Sequence, residues 1–278
     1  MLERRQIRRV VEAALDEDAP HGDLTSEVFV PVEAVATADL VAREPGVFAG
    51  TEVFEVAMTT VDPTLDVTVL VADGDSFDDG TVLATVRGNA RAVLRGERIA
   101  LNLVQRMCGI ATVTAAYVAA AGPDVRVVDT RKTTPGLRAL ERHAVRCGGG
   151  HNHRFSLSDA VMAKDNHLAL VEDVTEAIRA ARARLPHTTH LEVEVDRLDQ
   201  IEPVLAGGVD TIMLDNFSVE DLRRGVEVVA GRALVEASGG VNLETIAEIA
   251  TTGVDVISVG ALTHSVRNLD LGLDVRLS

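Results

Sequence analysis

Lys132 and Lys164 are the only lysines in the chain, and the other 25 strongly basic side chains are all arginine. Arginine presents a planar fork of donors, whereas lysine is a compact, strongly hydrated point charge on a flexible stem. A chain that otherwise uses only arginine points to a need for an ammonium group at these two places. Both lie in residues 129–167, DTRKTTPGLRALERHAVRCGGGHNHRFSLSDAVMAKDNH. From Arg131 to His167 this stretch holds seven Lys or Arg and four of the eight His against three acids, while the whole chain carries 43 Asp and Glu and a net charge of -16. A cationic pocket inside an acidic protein suits local capture of a polyanion, with each close pair worth about 4 kcal/mol before desolvation at an effective dielectric of about 20. The same net charge excludes general binding to nucleic acid or to an anionic membrane, which needs a broad positive field. With no Trp and one Tyr, an aromatic box for stacking a base is excluded as well.

The elements that must position these residues follow from periodicity. After Pro123 short apolar strands alternate with helical stretches: VRVVD129, AVMAK164, HLEVEV195, TIMLD215, ALVEAS238 and DVISVG260. Strands alternating with helices imply a parallel sheet, and six in a run favour a closed barrel over an open doubly wound sheet. No GxGxxG follows the first strand, so a dinucleotide fold lacks support. In a β/α barrel, chemistry sits at the carboxyl ends of the strands. Those ends are Asp129 with Arg131 and Lys132, then Lys164, Glu194, Asp215, Ser238 and Gly260. Any one of these acids could simply cap a helix or pair with an arginine; their recurrence at one rim argues for a site. Ser238-Gly239-Gly240, before a helix expected near Asn242, and Val259-Gly260-Ala261 read as a phosphate cup, where glycine admits a phosphate to backbone amides. His151, His153 and His167 with Asp165 have metal-ligand types, but the adjacent Arg154 opposes a cation, so His153 and Arg154 read as anion ligands. No H-E-x-x-H or G-x-S-x-G is present.

Ahead of the barrel, Ile7, Val10, Val11, Ala14 and Leu15 predict an amphipathic helix, and residues 18–26 read as a loop, either a plain connector, the simpler reading, or a lip over a site. Between Ala34 and Val86, β-rich runs separated by Pro-Gly and Asp-Gly turns, with a helix at 51–60, predict a small sheet domain. Residues 89–121 form the longest helical pattern, with Gly109 as the expected break between domains. Arg91, Arg95 and Arg98 share one of its faces, either as a solvated stripe or with one member directed into an anion site. The expected domains are 1–108 and 109–278. A hydrophobic content of 46% with 25% charged residues excludes extended disorder. Two cysteines make no disulfide framework, which fits a reducing cytoplasm, and no window is expected to reach a membrane span.

The stretches HGDLTSE, ERIALNL, DTRKTTPGLR, GGGHNHRFSLSDAVMAKDNH, EVEVD, IMLDNF, EASGGV and SVGALTH together resemble the quinolinate phosphoribosyltransferase family across nearly the whole chain. The resemblance implies an α/β protein with an amino-terminal α/β sandwich domain and an incomplete β/α (TIM-like) barrel. It also implies a homodimer whose sites each take Arg98 from the other subunit. By the same resemblance Arg131, His153, Arg154, Lys164 and the partner's Arg98 hold the two carboxylates of quinolinate, and Lys132 contacts the pyrophosphate of phosphoribosyl pyrophosphate. The resemblance likewise implies that Glu194 and Asp215 face the ribose hydroxyls and Mg2+, and that Ser238, Gly239 and Gly260 cradle the 5-phosphate. The implied products are nicotinate mononucleotide, CO2 and pyrophosphate. Competing readings are a sister phosphoribosyltransferase for another acid, a barrel lyase with Lys164 as Schiff-base nucleophile, and a non-catalytic phosphometabolite sensor.

Overall fold

A computed structural model describes residues 2–276. The amino-terminal half begins with α1 (Arg4–Asp18), which buries Ile7 and Val11 as its periodicity predicts. The expected connector is instead interrupted by α2 (Leu24–Phe29), because the Asp23 carboxylate accepts the Thr25 and Ser26 amides and caps a new helix. There follow β1 (Val35–Ala42), β2 (Gly46–Val47), α3 (Thr51–Val61), β3 (Asp66–Val69), β4 (Ser76–Phe77) and β5 (Val82–Asn89). The helix expected at 51–60 is α3, and its first amides at Gly50 and Thr51 are satisfied from outside by the Asp73 carboxylate. Ala38, Leu40, Ala84 and Val86 are buried on β1 and β5, and Phe54 and Met58 on α3. Each large side chain among them contributes roughly 1.5–3 kcal/mol by leaving water.

Helix α4 (Ala90–Ala121) runs without interruption for 32 residues, so Gly109 does not interrupt the helix. A Cβ at Gly109 would lie 2.2 Å from the Arg267 carbonyl oxygen, so glycine is there for close backbone approach. By length and composition α4 could cross a membrane, contrary to expectation, but 61% of its apolar window is buried inside the fold. Of its three spaced arginines, Arg91 donates to the Val30 and Glu27 carbonyls and Arg95 to the Val61 carbonyl, leaving Arg98 exposed.

The second half supplies β6 (Arg126–Val128), α5 (Arg138–Cys147), β7 (Val161–Ala163), α6 (Asp165–Leu168), α7 (Val174–Arg184), β8 (Leu191–Val195), α8 (Ile201–Gly207), β9 (Thr211–Asp215) and α9 (Val219–Val229). It ends with β10 (Leu234–Ser238), α10 (Ile246–Ala250), β11 (Val256–Ser258), α11 (Ala261–His264) and β12 (Leu271–Arg276). All six strands expected from the sequence form. They make one parallel sheet in the order β6-β11-β10-β9-β8-β7. That is the cyclic order of a barrel cut between β6 and β7, so the closed barrel favoured by strand count gives way to an incomplete one.

Two compact units emerge, and neither is continuous in sequence. One contains residues through Ala115, Thr133–Gly149 and the chain from Thr263; the other contains Ala116–Lys132 and Gly150–Leu262. The first unit holds an antiparallel sheet ordered β12-β1-β5-β3, in which the last strand of the chain pairs with the first. It also holds α5, the helix that joins β6 to β7 in sequence. The second unit holds the six parallel strands.

Candidate active site

The carboxyl ends of the parallel strands surround a pocket of about 380 Å³. Arg131, Lys132, His153, Arg154, Lys164, Glu194, Asp215 and Ser238 all line it, together with Thr130, Met162, Met213, Glu236 and Ser258. Five different strands or the loops that follow them therefore deliver six of the expected residues to one place, and the segment between α5 and β7 adds His153 and Arg154. Gly239 and Gly260 follow β10 and β11 at the same rim without lining the pocket, and Arg98 lies on α4 in the first unit.

Asp129 closes β6 and is wholly buried. Its two oxygens accept the His153 amide at 2.8 Å and the Asn152 side-chain amide at 2.6 Å, while the His151 backbone pairs with Val127 and Asp129. Asp129 is thus a peg that holds His153 and Arg154 at the pocket. Arg154 is steadied by donating to the Ala160 carbonyl at 3.1 Å. Burial first, and then the neighbouring Arg131 charge, push its pKa down from the usual guanidinium range.

His153 does not present itself only to the pocket. Its Nε2 lies 3.0 Å from Glu192 and 3.5 Å from Glu236, carboxylates on β8 and β10 that are each only 3% exposed. The Arg154 amide lies 2.8 Å from Nδ1, so in the neutral ring Nδ1 accepts it and the proton sits on Nε2. Burial opposes charge on the ring most strongly, but the hydrogen bonds and charges of Glu192 and Glu236 override it and raise the His153 pKa to about 10. Burial likewise raises Glu192 above the normal carboxylate range. His153 and Glu192 therefore both hold their protons to higher pH than they would in the unfolded chain. Reading only strand ends misses these two glutamates. The signal was the period of two: in Leu191–Val195, Glu192 and Glu194 share a face, as do Glu236 and Ser238 in Leu234–Ser238.

Across the mouth, the Lys164 ammonium is hydrogen-bonded to Oε2 of Glu194, whose side chain is 12% exposed against 44% for Lys164. Lys132 stays exposed, with its amide anchored on the Thr130 hydroxyl at 3.1 Å. Asp215 ends β9 opposite Ser238 on β10, and Glu194 on β8 pairs with Met213, two residues before Asp215. The two acids thus sit on neighbouring strands and face the same way. After Ser238, Gly239 and Gly240 adopt φ of +86° and +63°. The next helix begins at Ile246 rather than near Asn242, because Asn242 accepts the Glu244 and Thr245 amides in a turn of its own. An anion at this rim would meet turn amides rather than a helix end. Cys147 lies outside the pocket, and burial, followed by the charge of Asp73, pushes its thiol up to about 12, which leaves it unreactive.

Comparison with known proteins agrees over the whole chain. The family models "Quinolinate phosphoribosyl transferase, N-terminal domain" and "Quinolinate phosphoribosyl transferase, C-terminal domain" match residues 23–108 and 110–274. A nicotinate-nucleotide pyrophosphorylase [carboxylating] of Mycobacterium leprae is 47% identical over 275 residues, covering 96% of each chain. A probable enzyme of the same name from Bacillus subtilis is 41% identical, covering 98% of this chain and 94% of its own. The crystal structure of NadC from Streptococcus pyogenes superposes with a TM-score of 0.96 at 42% identity, covering 100% of this chain and 99% of the other.

Proposed function

We infer that this chain, which belongs to the quinolinate phosphoribosyltransferase family, transfers the phosphoribosyl group of phosphoribosyl pyrophosphate to quinolinate with loss of CO2. The products are nicotinate mononucleotide and pyrophosphate, a step in making NAD. The observation that carries this reading is the convergence of Arg131, Lys132, Arg154 and Lys164 with Glu194 and Asp215 on a single pocket. Two polyanionic substrates can share a site only where cations are concentrated, and carboxylates beside them suit a sugar carbon that becomes cationic as its leaving group departs.

In this reading Arg131, Arg154 and Lys164 clamp the two carboxylates of quinolinate and hold its ring nitrogen in line with the ribosyl carbon, where positioning lowers the barrier, while His153, its Nε2 engaged by Glu192 and Glu236, steadies the Arg154 backbone from behind. Lys132, exposed at the rim, takes the pyrophosphate. Glu194 and Asp215 stabilise the ribosyl cation from its hydroxyl side. Once the nitrogen is alkylated, the ring accepts the electron pair left at the adjacent carbon when CO2 departs. Mg2+ would be held by Glu194 and Asp215: each has one oxygen engaged, to Lys164 and to Asn216 at 2.7 Å, which leaves Oε1 and Oδ1 as hard oxygen donors. Two carboxylates completed by substrate phosphates are the usual environment of that ion. When bound, it neutralises charge on the departing pyrophosphate. Ser238, Gly239 and Gly260 would take the 5-phosphate. The proposal includes a homodimer in which the exposed Arg98 completes the partner's site, and a cytoplasmic location, which the free cysteines suit.

A Schiff-base lyase is less well supported, since Lys164 is held on Glu194 rather than presented as a free amine. The direct test is incubation with quinolinate, phosphoribosyl pyrophosphate and Mg2+, followed by mass spectrometry and capture of CO2. Nicotinate mononucleotide with equimolar CO2 is the expected result. Turnover of nicotinate without CO2 would assign the chain to a sister reaction, and absence of either product would overturn the proposal.

A further inference from the structure

Asn216 makes no appearance among the residues expected to touch substrate, yet it joins the two halves of the ribose site. It is one of two non-glycine residues with positive φ among those described, at +59°. That left-handed turn comes directly after Asp215 at the end of β9. The Asn216 amide donates to the Ser238 carbonyl at 2.9 Å, extending the β9-β10 ladder by one bond. Its side chain turns back, and Nδ2 donates to Oδ2 of Asp215 at 2.7 Å. Its Oδ1 covers Gly239 so closely that a Cβ there would lie 2.1 Å away. One side chain therefore touches both the carboxylate that faces the ribose hydroxyls and the turn that receives the 5-phosphate.

We propose that Asn216 is a positioning residue that fixes the spacing between Asp215 and the Ser238-Gly239 turn, and so sets the site to the length of a ribose 5-phosphate unit. This rests on the assignment of those two places to ribose and phosphate made above. The residue type fits the task. Asparagine accepts a left-handed backbone more readily than other side chains, and its amide supplies a donor for the carboxylate on one edge and an acceptor against the glycine on the other. Aspartate would keep the backbone preference but set a second carboxylate against Asp215. Glycine would keep the turn and remove the side chain altogether.

The two substitutions separate a backbone role from a side-chain role. Titration of the full chain with ribose 5-phosphate, without metal, reads the site at both ends, and titration with quinolinate serves as the control. Asn216→Gly is expected to fold with an unchanged or higher melting temperature, because glycine adopts φ +59° without strain. It is expected to bind ribose 5-phosphate roughly ten-fold more weakly, as for loss of a hydrogen bond to a charged group, with quinolinate affinity preserved. Asn216→Asp is expected to weaken ribose 5-phosphate further, again with quinolinate preserved. In steady-state assays the Asn216→Gly change should raise KM for phosphoribosyl pyrophosphate and leave KM for quinolinate unchanged. A folded Asn216→Gly protein that binds ribose 5-phosphate as well as wild type would overturn the proposal, as would equal losses for both ligands. Wild-type protein that binds no ribose 5-phosphate yet still releases CO2 would overturn this spacing role and leave the proposed reaction standing.

Discussion

Nε2 of His153 lies 3.0 Å from Oε2 of Glu192, a carboxylate almost wholly enclosed by the parallel sheet. With Glu236 on its other side, the imidazole has become the proton-bearing centre of a buried acidic pair. Both shifts run the same way: His153 is raised to about 10 and Glu192 is raised above its ordinary range, so the folded state binds protons that the unfolded chain releases. The His153 contribution is fully present below the unfolded histidine value of about 6.5 and is lost as pH rises through about 10.

His153→Ala should therefore destabilise the protein by about 3 kcal/mol near neutral pH, because it strands two buried carboxylates without their proton-bearing partner. The gap between wild type and variant should narrow between about pH 6.5 and about pH 10. Urea unfolding at a series of pH values checks this, and a gap that does not change with pH would show that the ring contributes packing alone.

Lys164 and Glu194 form an ion pair at the pocket, so in the proposed clamp a dianion must draw the ammonium away from its carboxylate. Lys164→Ala should raise KM for quinolinate by at least ~30-fold, as expected when one member of a hydrogen-bonded charge pair at a binding site is removed. Glu194→Gln should loosen Lys164 and impair turnover more than quinolinate binding. Steady-state kinetics with each substrate varied in turn separates the two effects. A Lys164→Ala enzyme with unaltered quinolinate KM would remove this residue from the clamp.

Much of the site was legible because barrel chemistry depends on one geometric rule, that strand ends converge. Lys164, Glu194, Asp215 and Ser238 could each be placed by finding where an apolar run stops. Glu192 and Glu236 were less visible because a charged residue inside a strand ordinarily reads as a solvent-facing alternation; only knowing that both faces of this sheet are covered turns it into a buried acid. Asn216 and α2 were hidden for another reason. A left-handed turn and a side-chain cap depend on a single residue's dihedral angles and one or two hydrogen bonds, and neither leaves a periodic trace. At Gly109 the helix continues where a glycine suggested an interruption, because another backbone, that of Arg267, far away in sequence, is pressed against it.

Away from the pocket, Asp73 accepts hydrogen bonds from Gly50, Thr51 and His143, the last at 2.7 Å. Burial alone would raise its pKa, but these donors, His143 foremost, together hold it at about 2. The sign is opposite to that of His153. Its contribution is present above the unfolded value of about 4 and is lost as pH falls through about 2. Asp73→Asn should cost about 2 kcal/mol at pH 7 and should lose most of that difference by pH 2 to 3, as read from thermal melts across the acid range. A constant difference down to pH 2 would mean that hydrogen bonding, not ionisation, gives Asp73 its value.

Arg98 is exposed on α4, whereas Arg91 and Arg95 on the same helix are consumed by backbone carbonyls. A long, unburied guanidinium left over from a structural stripe is available to a second copy of the chain, and the proposed homodimer gives it a role in the partner's site. Arg98→Ala and Arg131→Ala should each abolish activity when prepared separately, since every site in either homodimer lacks one member of the clamp. Mixed in equal amounts and allowed to exchange subunits, half of the dimers become hybrids. In each hybrid, one site carries both defects and the other carries neither, because a two-fold interface pairs each subunit's pocket with its neighbour's arginine. Recovery of about a quarter of wild-type activity is the expected outcome. Were Arg98 to serve the pocket of its own chain, every site in the mixture would still carry one defect and no activity would return.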